Sequence, residues 1–234
     1  KRPDGSRYNH RSVSQFKGQI TETIFTECCG TPQAITQWKV AVTPVNPNDK
    51  SIQWTIPPKD AQSTFFQYNA QGLLVKKTGA SGIVTSIAYD PATGKVSKIE
   101  RARRTLSYTY DKRGNMASAF DSQAQRRVDV IYDLNGRITS VKESSPLKTY
   151  QPRSLFLKYN LAGRPSEIKE VFQKKETNIR LVYDERGNMV GVQNGLGRSI
   201  ASQEDIQGAQ RILGTFQSLL ELAQPQGVTL TPDN

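Results

Sequence analysis

The residues of this chain that could do acid–base chemistry are carboxylates that recur at regular intervals behind tyrosines. The combination of a Tyr, an Asp or Asn directly behind it, and a Gly within four further residues occurs six times between residues 68 and 187, at intervals of 21 to 27 residues. Paired carboxylates can act as general acid and base, but a fixed place between Tyr and Gly is typical of a turn cap. Turn capping is therefore favoured over catalysis. The signature residues are Tyr68, Asn69, Gly72, Tyr89, Asp90, Gly94, Tyr110, Asp111, Gly114, Tyr132, Asp133, Gly136, Tyr159, Asn160, Gly163, Tyr183, Asp184 and Gly187.

Other reactive side chains are few. The only histidine is His10, in a polar stretch, which excludes a histidine-based triad inside the fold. Cys28 and Cys29 are adjacent, so a bridge between them would be strained, and too few ligands lie nearby for a metal site. We interpret them as ordinary thiols, with a vicinal disulfide as the alternative. Without a phosphate-binding loop or dinucleotide fingerprint, we expect no enzyme, no cofactor and no metal.

The net charge of +11 favours acidic partners such as nucleic acid or acidic glycans, although it equally suits simple solubility. The basic residues are spread along the chain, which weakens the case for nucleic acid. The candidate polyanion contacts are the densest clusters, Arg101, Arg103, Arg104, Arg126 and Arg127.

Hydrophobic residues alternate with polar ones before each signature tyrosine, as in Val128-Val130-Tyr132 and Leu155-Leu157-Tyr159. Alternation of this kind predicts a strand with one buried face, and the glycine that follows predicts a hairpin turn. In the second strand of four hairpins the apolar residues lie three apart, as in Ile138 and Val141, which predicts a β-bulge or a switch of faces.

The segment 132–141 resembles the Tyr-Asp (YD, or Rhs-type) repeat family almost position for position, and the resemblance covers about residues 64–198. It implies a β-sheet ribbon like those that enclose bacterial toxins and form the body of teneurin adhesion receptors. Six repeats are too few to close a shell, and the family's paired self-cleavage aspartates have no counterpart after Tyr183. The fold class expected is therefore mainly β, an open curved antiparallel sheet of tandem hairpins with one C-terminal α-helix.

The flanking segments complete the predicted organisation. We expect a flexible N-terminus at 1–13, a β segment at 14–63 that caps or extends the sheet, the repeat ribbon at 64–198, and an amphipathic helix with a tail at 199–234. Helical spacing of Ile206, Leu213, Phe216 and Leu220 predicts a helix that docks on the sheet or on a partner subunit. The long connection at 142–153 is either a binding loop or a neutral insertion.

These features predict a non-catalytic structural or interaction scaffold of the bacterial envelope or surface, which binds a protein or cell-wall partner. A periplasmic, surface or secreted location is expected from the family resemblance and the missing initiator Met, and no apolar run could cross a bilayer. The alternatives are a polyanion-binding module and part of an Rhs-type toxin shell.

Overall fold

The computed structural model describes residues 10–26, 29–39 and 57–199 and five separate residues beyond them. Its fifteen strands form one open antiparallel sheet, in which their order is the same as along the chain. The prediction of a mainly β, open antiparallel sheet is confirmed, and its curvature stays a prediction. The strands are β1 Arg11–Phe16, β2 Gln19–Phe25, β3 Pro32–Lys39, β4 Gln62–Tyr68, β5 Leu74–Thr78, β6 Val84–Tyr89, β7 Val96–Arg101, β8 Arg104–Tyr110, β9 Met116–Asp121, β10 Arg126–Tyr132, β11 Ile138–Ser144, β12 Arg153–Tyr159, β13 Pro165–Phe172, β14 Lys175–Tyr183 and β15 Met189–Asn194.

Burial along the strands follows the period of two that the sequence predicts. In β12, Leu155 and Leu157 are buried, whereas Phe156 and Lys158 between and after them are exposed. The pleat of a strand sends successive side chains to opposite faces, so one face of the sheet collects the aliphatic residues.

A β-bulge interrupts five of the six repeat hairpins beside the tyrosine. Tyr132 is paired with Ile138 and Ile131 with Ser140, which leaves Thr139 as an extra residue in β11. Beyond the extra residue the alternation is shifted by one, so Ile138 and Val141 can both serve the buried face despite being three apart. The same shift occurs beside Tyr68, Tyr110, Tyr159 and Tyr183.

The chain divides into two compact units. One consists of Lys1–Ala88, Ile99–Ala102 and Gly227–Asn234, and the other of Tyr89–Lys98 and Arg103–Gln226. Fully or almost fully buried aliphatic and aromatic side chains form the core of each. Those of the first unit include Ile20, Trp38 and Phe66, and those of the second include Val128, Val141, Leu155, Ile168 and Ile179.

The N-terminal part contains more regular structure than the sequence indicates. Strand β1 begins at Arg11, inside the segment predicted to be flexible, and Arg11 forms an ion pair with the buried Glu22 of β2. Of the β segment predicted at 14–63, residues 27–28 and 40–56 lie outside the described residues.

The predicted C-terminal helix is not confirmed. Its docking residues Ile206, Leu213, Phe216 and Leu220 lie outside the described part of the chain. The described residues of this region, Gln207, Arg211, Ile212, Gly214 and Ser218, have helical backbone geometry. Within the described residues, no helix combines the length and apolar character needed to cross a membrane.

Candidate functional site

The turn acids bind backbone amides of their own turns. Oδ1 of Asp133 accepts hydrogen bonds from the amides of Asn135 and Arg137, both at 2.9 Å, and the Gly136 amide donates to the Asp133 carbonyl. Gly136 has a φ of 76°, a left-handed conformation that glycine adopts without strain. The side chain and the glycine together close the hairpin.

Asparagine performs the same task wherever it replaces the acid. Oδ1 of Asn69 accepts from the amides of Gln71 and Leu73, and Oδ1 of Asn160 accepts from the Arg164 amide. An amide oxygen carries no charge and cannot exchange a proton at ordinary pH. The position therefore requires a hydrogen-bond acceptor and has no need of a titrating group.

The pKa values of the turn acids also favour turn capping over acid catalysis. The backbone hydrogen bond from Arg137 and the contact with its side chain lower the pKa of Asp133, and a hydrogen bond from the Asn115 side chain lowers that of Asp111. A general acid needs a raised pKa so that it still carries its proton near neutral pH. These carboxylates are held in the charged form, which suits capping.

A seventh turn of the same kind follows β15, and the sequence pattern missed it. Oδ1 of Asn194 accepts from the amides of Leu196 and Arg198, and Gly197, three residues later, has a φ of 77°. Gln193 stands where the tyrosine would be, so a search for Tyr-Asp pairs cannot find this turn. The spacing of Asn194 to Gly197 alone would have indicated it.

The signature tyrosines join consecutive hairpins. Their rings are half-buried, and the hydroxyls of five of the six donate a hydrogen bond to the backbone carbonyl of the first residue in the second strand of the hairpin before. The bonds run from Tyr68 to Pro32 (2.7 Å), Tyr110 to Val96, Tyr132 to Met116 (3.1 Å), Tyr159 to Ile138 (2.7 Å) and Tyr183 to Pro165 (2.7 Å). Because the same bond recurs from hairpin to hairpin, the position suits tyrosine, whose ring can be half-buried while its hydroxyl forms a hydrogen bond.

Three further acids, which we call the buried acids, lie on the buried face of the second unit. They are Asp121, Glu143 and Glu170, with 7%, 4% and 1% of their surface exposed. Each stands eleven residues after a signature tyrosine and forms an ion pair with an arginine at the start of a strand. The partners are Arg104 (2.7 Å) for Asp121, Arg126 for Glu143 and Arg153 (3.3 Å) for Glu170.

Each buried acid also contacts a third group that differs from one repeat to the next. Asp121 accepts from the backbone amides of Gln123 and Ala124 in the following turn. Glu143 is hydrogen-bonded to the Tyr150 side chain. Glu170 lies 2.8 Å from a guanidinium nitrogen of Arg211. The third group is therefore a pair of turn amides at Asp121, a loop tyrosine at Glu143 and an arginine of the C-terminal region at Glu170.

Tyr150, which is hydrogen-bonded to Glu143, makes the stability of the fold depend on pH. Burial, followed by the hydrogen bond and the negative charge of Glu143, raises the pKa of Tyr150 to about 12. An unfolded tyrosine titrates near pH ~10, so this group stabilises the fold below about pH 10 and ceases to do so as the pH rises through about 12. Over this pH range the free energy of unfolding of Tyr150→Phe should fall less steeply with rising pH than that of the wild type, as measured by urea denaturation. Equal slopes for both proteins would contradict this.

The remaining candidate residues are accounted for as follows. Arg104 and Arg126 pair with buried acids, and Arg127 lies 2.8 Å from Asp129, whereas Arg101 and Arg103 are exposed. His10 and Cys29 are exposed, and Cys28 lies outside the described residues. Among the residues that the structure describes, no cluster of His, Cys, Asp or Glu could hold a metal ion.

The chain is similar in fold to part of one solved structure, and two further structures match it with lower TM-scores. A chain in the crystal structure of TcdB2-TccC3-Cdc42 matches 75% of this chain with a TM-score of 0.57 at 17% identity, and this chain spans 9% of it. TcdB2-TccC3 without its hypervariable C-terminal region matches 83% at a TM-score of 0.40 and 14% identity, over 13% of that chain. A porin-like protein from Bacteroides uniformis matches 78%, over 85% of its own chain, at a TM-score of 0.29 and 9% identity.

No protein-family model matches the sequence, and no curated protein matches it. The likeness to the TcdB2-TccC3-Cdc42 chain is one of fold alone, and it agrees in coarse terms with the resemblance of residues 64–198 to YD repeats.

Proposed function

We propose that this chain is a non-catalytic β-repeat scaffold, a structural part of a larger assembly. The observation that carries the proposal is that Asn69, Asn160 and Asn194 cap their turns with the same oxygen that the turn aspartates use. A repeated catalytic carboxylate would not tolerate an amide in its place. The fold likeness to a chain in a structure named for several proteins supports an assembly role.

The partner that we propose is a protein rather than a polyanion. Three of the five candidate arginines, Arg104, Arg126 and Arg127, already pair with carboxylates of the chain itself. A phosphate or sulfate group would have to compete with those contacts, and two of the acids involved are buried. Cross-linking in the cells that make the chain tests the proposal. We expect complexes well above the 26.1 kDa of the chain itself, and a chain recovered only as a monomer would overturn it.

We further propose that the scaffold acts outside the cytoplasm, at the bacterial envelope or surface. The support is the resemblance of its repeats to YD repeats, which serve as toxin shells and receptor bodies. Cell fractionation followed by immunodetection tests this location. Recovery of the chain with periplasmic, surface or secreted markers is expected, and recovery with cytoplasmic markers alone would exclude it.

Two substitutions at Asp90 test whether the turn needs a hydrogen-bond acceptor or a negative charge at this position. Three hydrogen bonds, from the Ala92 amide and from the amide and hydroxyl of Thr93, all reach Oδ1 of Asp90. Asp90→Asn keeps that oxygen, and we expect its urea midpoint to stay close to that of the wild type. Asp90→Ala removes the acceptor and should lower the midpoint. An asparagine variant as unstable as the alanine variant would show that the charge itself is required.

A further inference from the structure

The origin of the third group that contacts each buried acid depends on the length of the connection that follows the acid's strand. The connection after Asp121 has four residues, 122–125, and its own amides reach back to the acid. The connection after Glu143 has eight residues, 145–152, and Tyr150 near its end reaches back. In both cases the neighbouring connection supplies the group.

Glu170 has no such local supplier. The connection between β13 and β14 is the two-residue turn Gln173–Lys174, with φ angles of 51° and 62°. The two ion-pair partners of Glu170, Arg153 and Arg211, both lie outside this turn. Arg211, 41 residues further along the chain, occupies the place of the third group.

Arg211 is not needed to neutralise Glu170. Arg153 already supplies one positive charge, as Arg104 and Arg126 do for the other two buried acids. Arg211 keeps 46% of its side chain exposed, so its departure would leave behind a matched pair rather than a bare buried charge. The contact is therefore of a kind that can be made and broken without disrupting the sheet.

The residue that follows Arg211 in the chain is buried. Ile212 is 0% exposed, although Gln207, Gly214 and Ser218 around it are all exposed. A guanidinium on Glu170 is thus followed directly by a buried aliphatic side chain.

We propose that Glu170 and Arg211 form an intramolecular latch, in which Arg211 and Ile212 dock on the buried face of the second unit and can leave it while the sheet stays folded. The latch is specific for an arginine followed by an aliphatic residue, because the acid binds the guanidinium and the buried face receives the neighbouring side chain. This inference is independent of the proposed scaffold function.

Cysteine labelling of the full chain tests the latch. Cys28 and Cys29 are replaced by serine, and a single reporter is introduced as Ile212→Cys or, in a second protein, as Ile20→Cys, which lies at another fully buried position. A buried thiol reacts only when its surroundings open, so its rate reports the open population. We expect the reporter at 212 to react more slowly than in the denatured chain and faster than the reporter at 20.

Arg211→Ala should then raise the labelling rate at position 212 by about threefold to tenfold and leave the rate at position 20 unchanged. Arg211→Lys should keep part of the protection, and the exposed controls Gln207→Ala and Ser218→Ala should have no effect. Three results would overturn the latch: no response of position 212 to Arg211→Ala, an equal response of both reporters, or labelling at 212 as fast as in the denatured chain.

Discussion

Replacing Glu170 by alanine is expected to lower the free energy of unfolding by about 3–5 kcal/mol. The carboxylate is 1% exposed, and its removal breaks its ion pairs with Arg153 and Arg211. Removing one member of an ion pair on a buried face destabilises strongly, because the desolvation of the remaining charge is then no longer offset by that pair, which is the reason for the large effect. Urea denaturation of the purified full chain measures the loss.

Glu167 provides the matched control, because it is the same residue type on the same strand. Its carboxylate lies 3.1 Å from Lys158, whose side chain is 72% exposed, so Glu167→Ala should change the free energy by at most about 1 kcal/mol. The double variant Arg153→Met/Glu170→Met should recover most of the stability, since neither charge remains. Equal losses at Glu167 and Glu170 would contradict the structural role of the buried acids.

Leu155→Ala is expected to destabilise the chain by about 2–5 kcal/mol. Leu155 is 0% exposed and lies opposite Val141 in β11 and Glu170 in β13, so truncation leaves a cavity at the centre of the second unit's buried face. The neighbouring Phe156 is 43% exposed on the opposite face, and Phe156→Ala should change stability by only about 0.5 kcal/mol. Losses of similar size at the two positions would mean that β12 does not separate a buried face from an exposed one.

The parts of the fold that the sequence predicted are those set by neighbouring residues. Alternation in β12 and the Asp-to-Gly spacing in the turns depend on a few adjacent positions, which determine strand and turn directly. The bulge was predictable for the same reason, because Ile138 and Val141 reveal the change of alternation within one strand.

The buried acids could not be predicted in this way. Arg126 and Glu143 meet only because the registers of β10 and β11 place Val128 opposite Glu143, and that register depends on the whole hairpin. From the sequence alone, charged residues are expected at the surface. Arg104 and Arg126 were accordingly interpreted as candidate contacts for a polyanion, although they are ion-paired within the chain.

The N-terminal hairpin shows how the repeat geometry can persist without its signature. Phe25 and Thr26 stand where other units have Tyr and Asp, and the amide of Gly30 donates to the Thr26 carbonyl, as that of Gly94 does to Asp90. Thr26 also accepts a hydrogen bond from the Thr31 amide through its hydroxyl. A hydroxyl can thus replace the carboxylate, and a search for Tyr-Asp pairs misses this hairpin.

Residue-resolved amide hydrogen exchange of the full chain tests the central claim most directly, namely that tandem hairpins with structural turn acids build this protein. Slow exchange is predicted in paired strand segments such as β10 to β14, interrupted at each turn tip, with fast exchange at Lys112, Leu134 and Leu161. The interruptions should recur with the spacing of the signature tyrosines. Fast exchange throughout these strands, or protection that continues through the turn tips, would contradict the account.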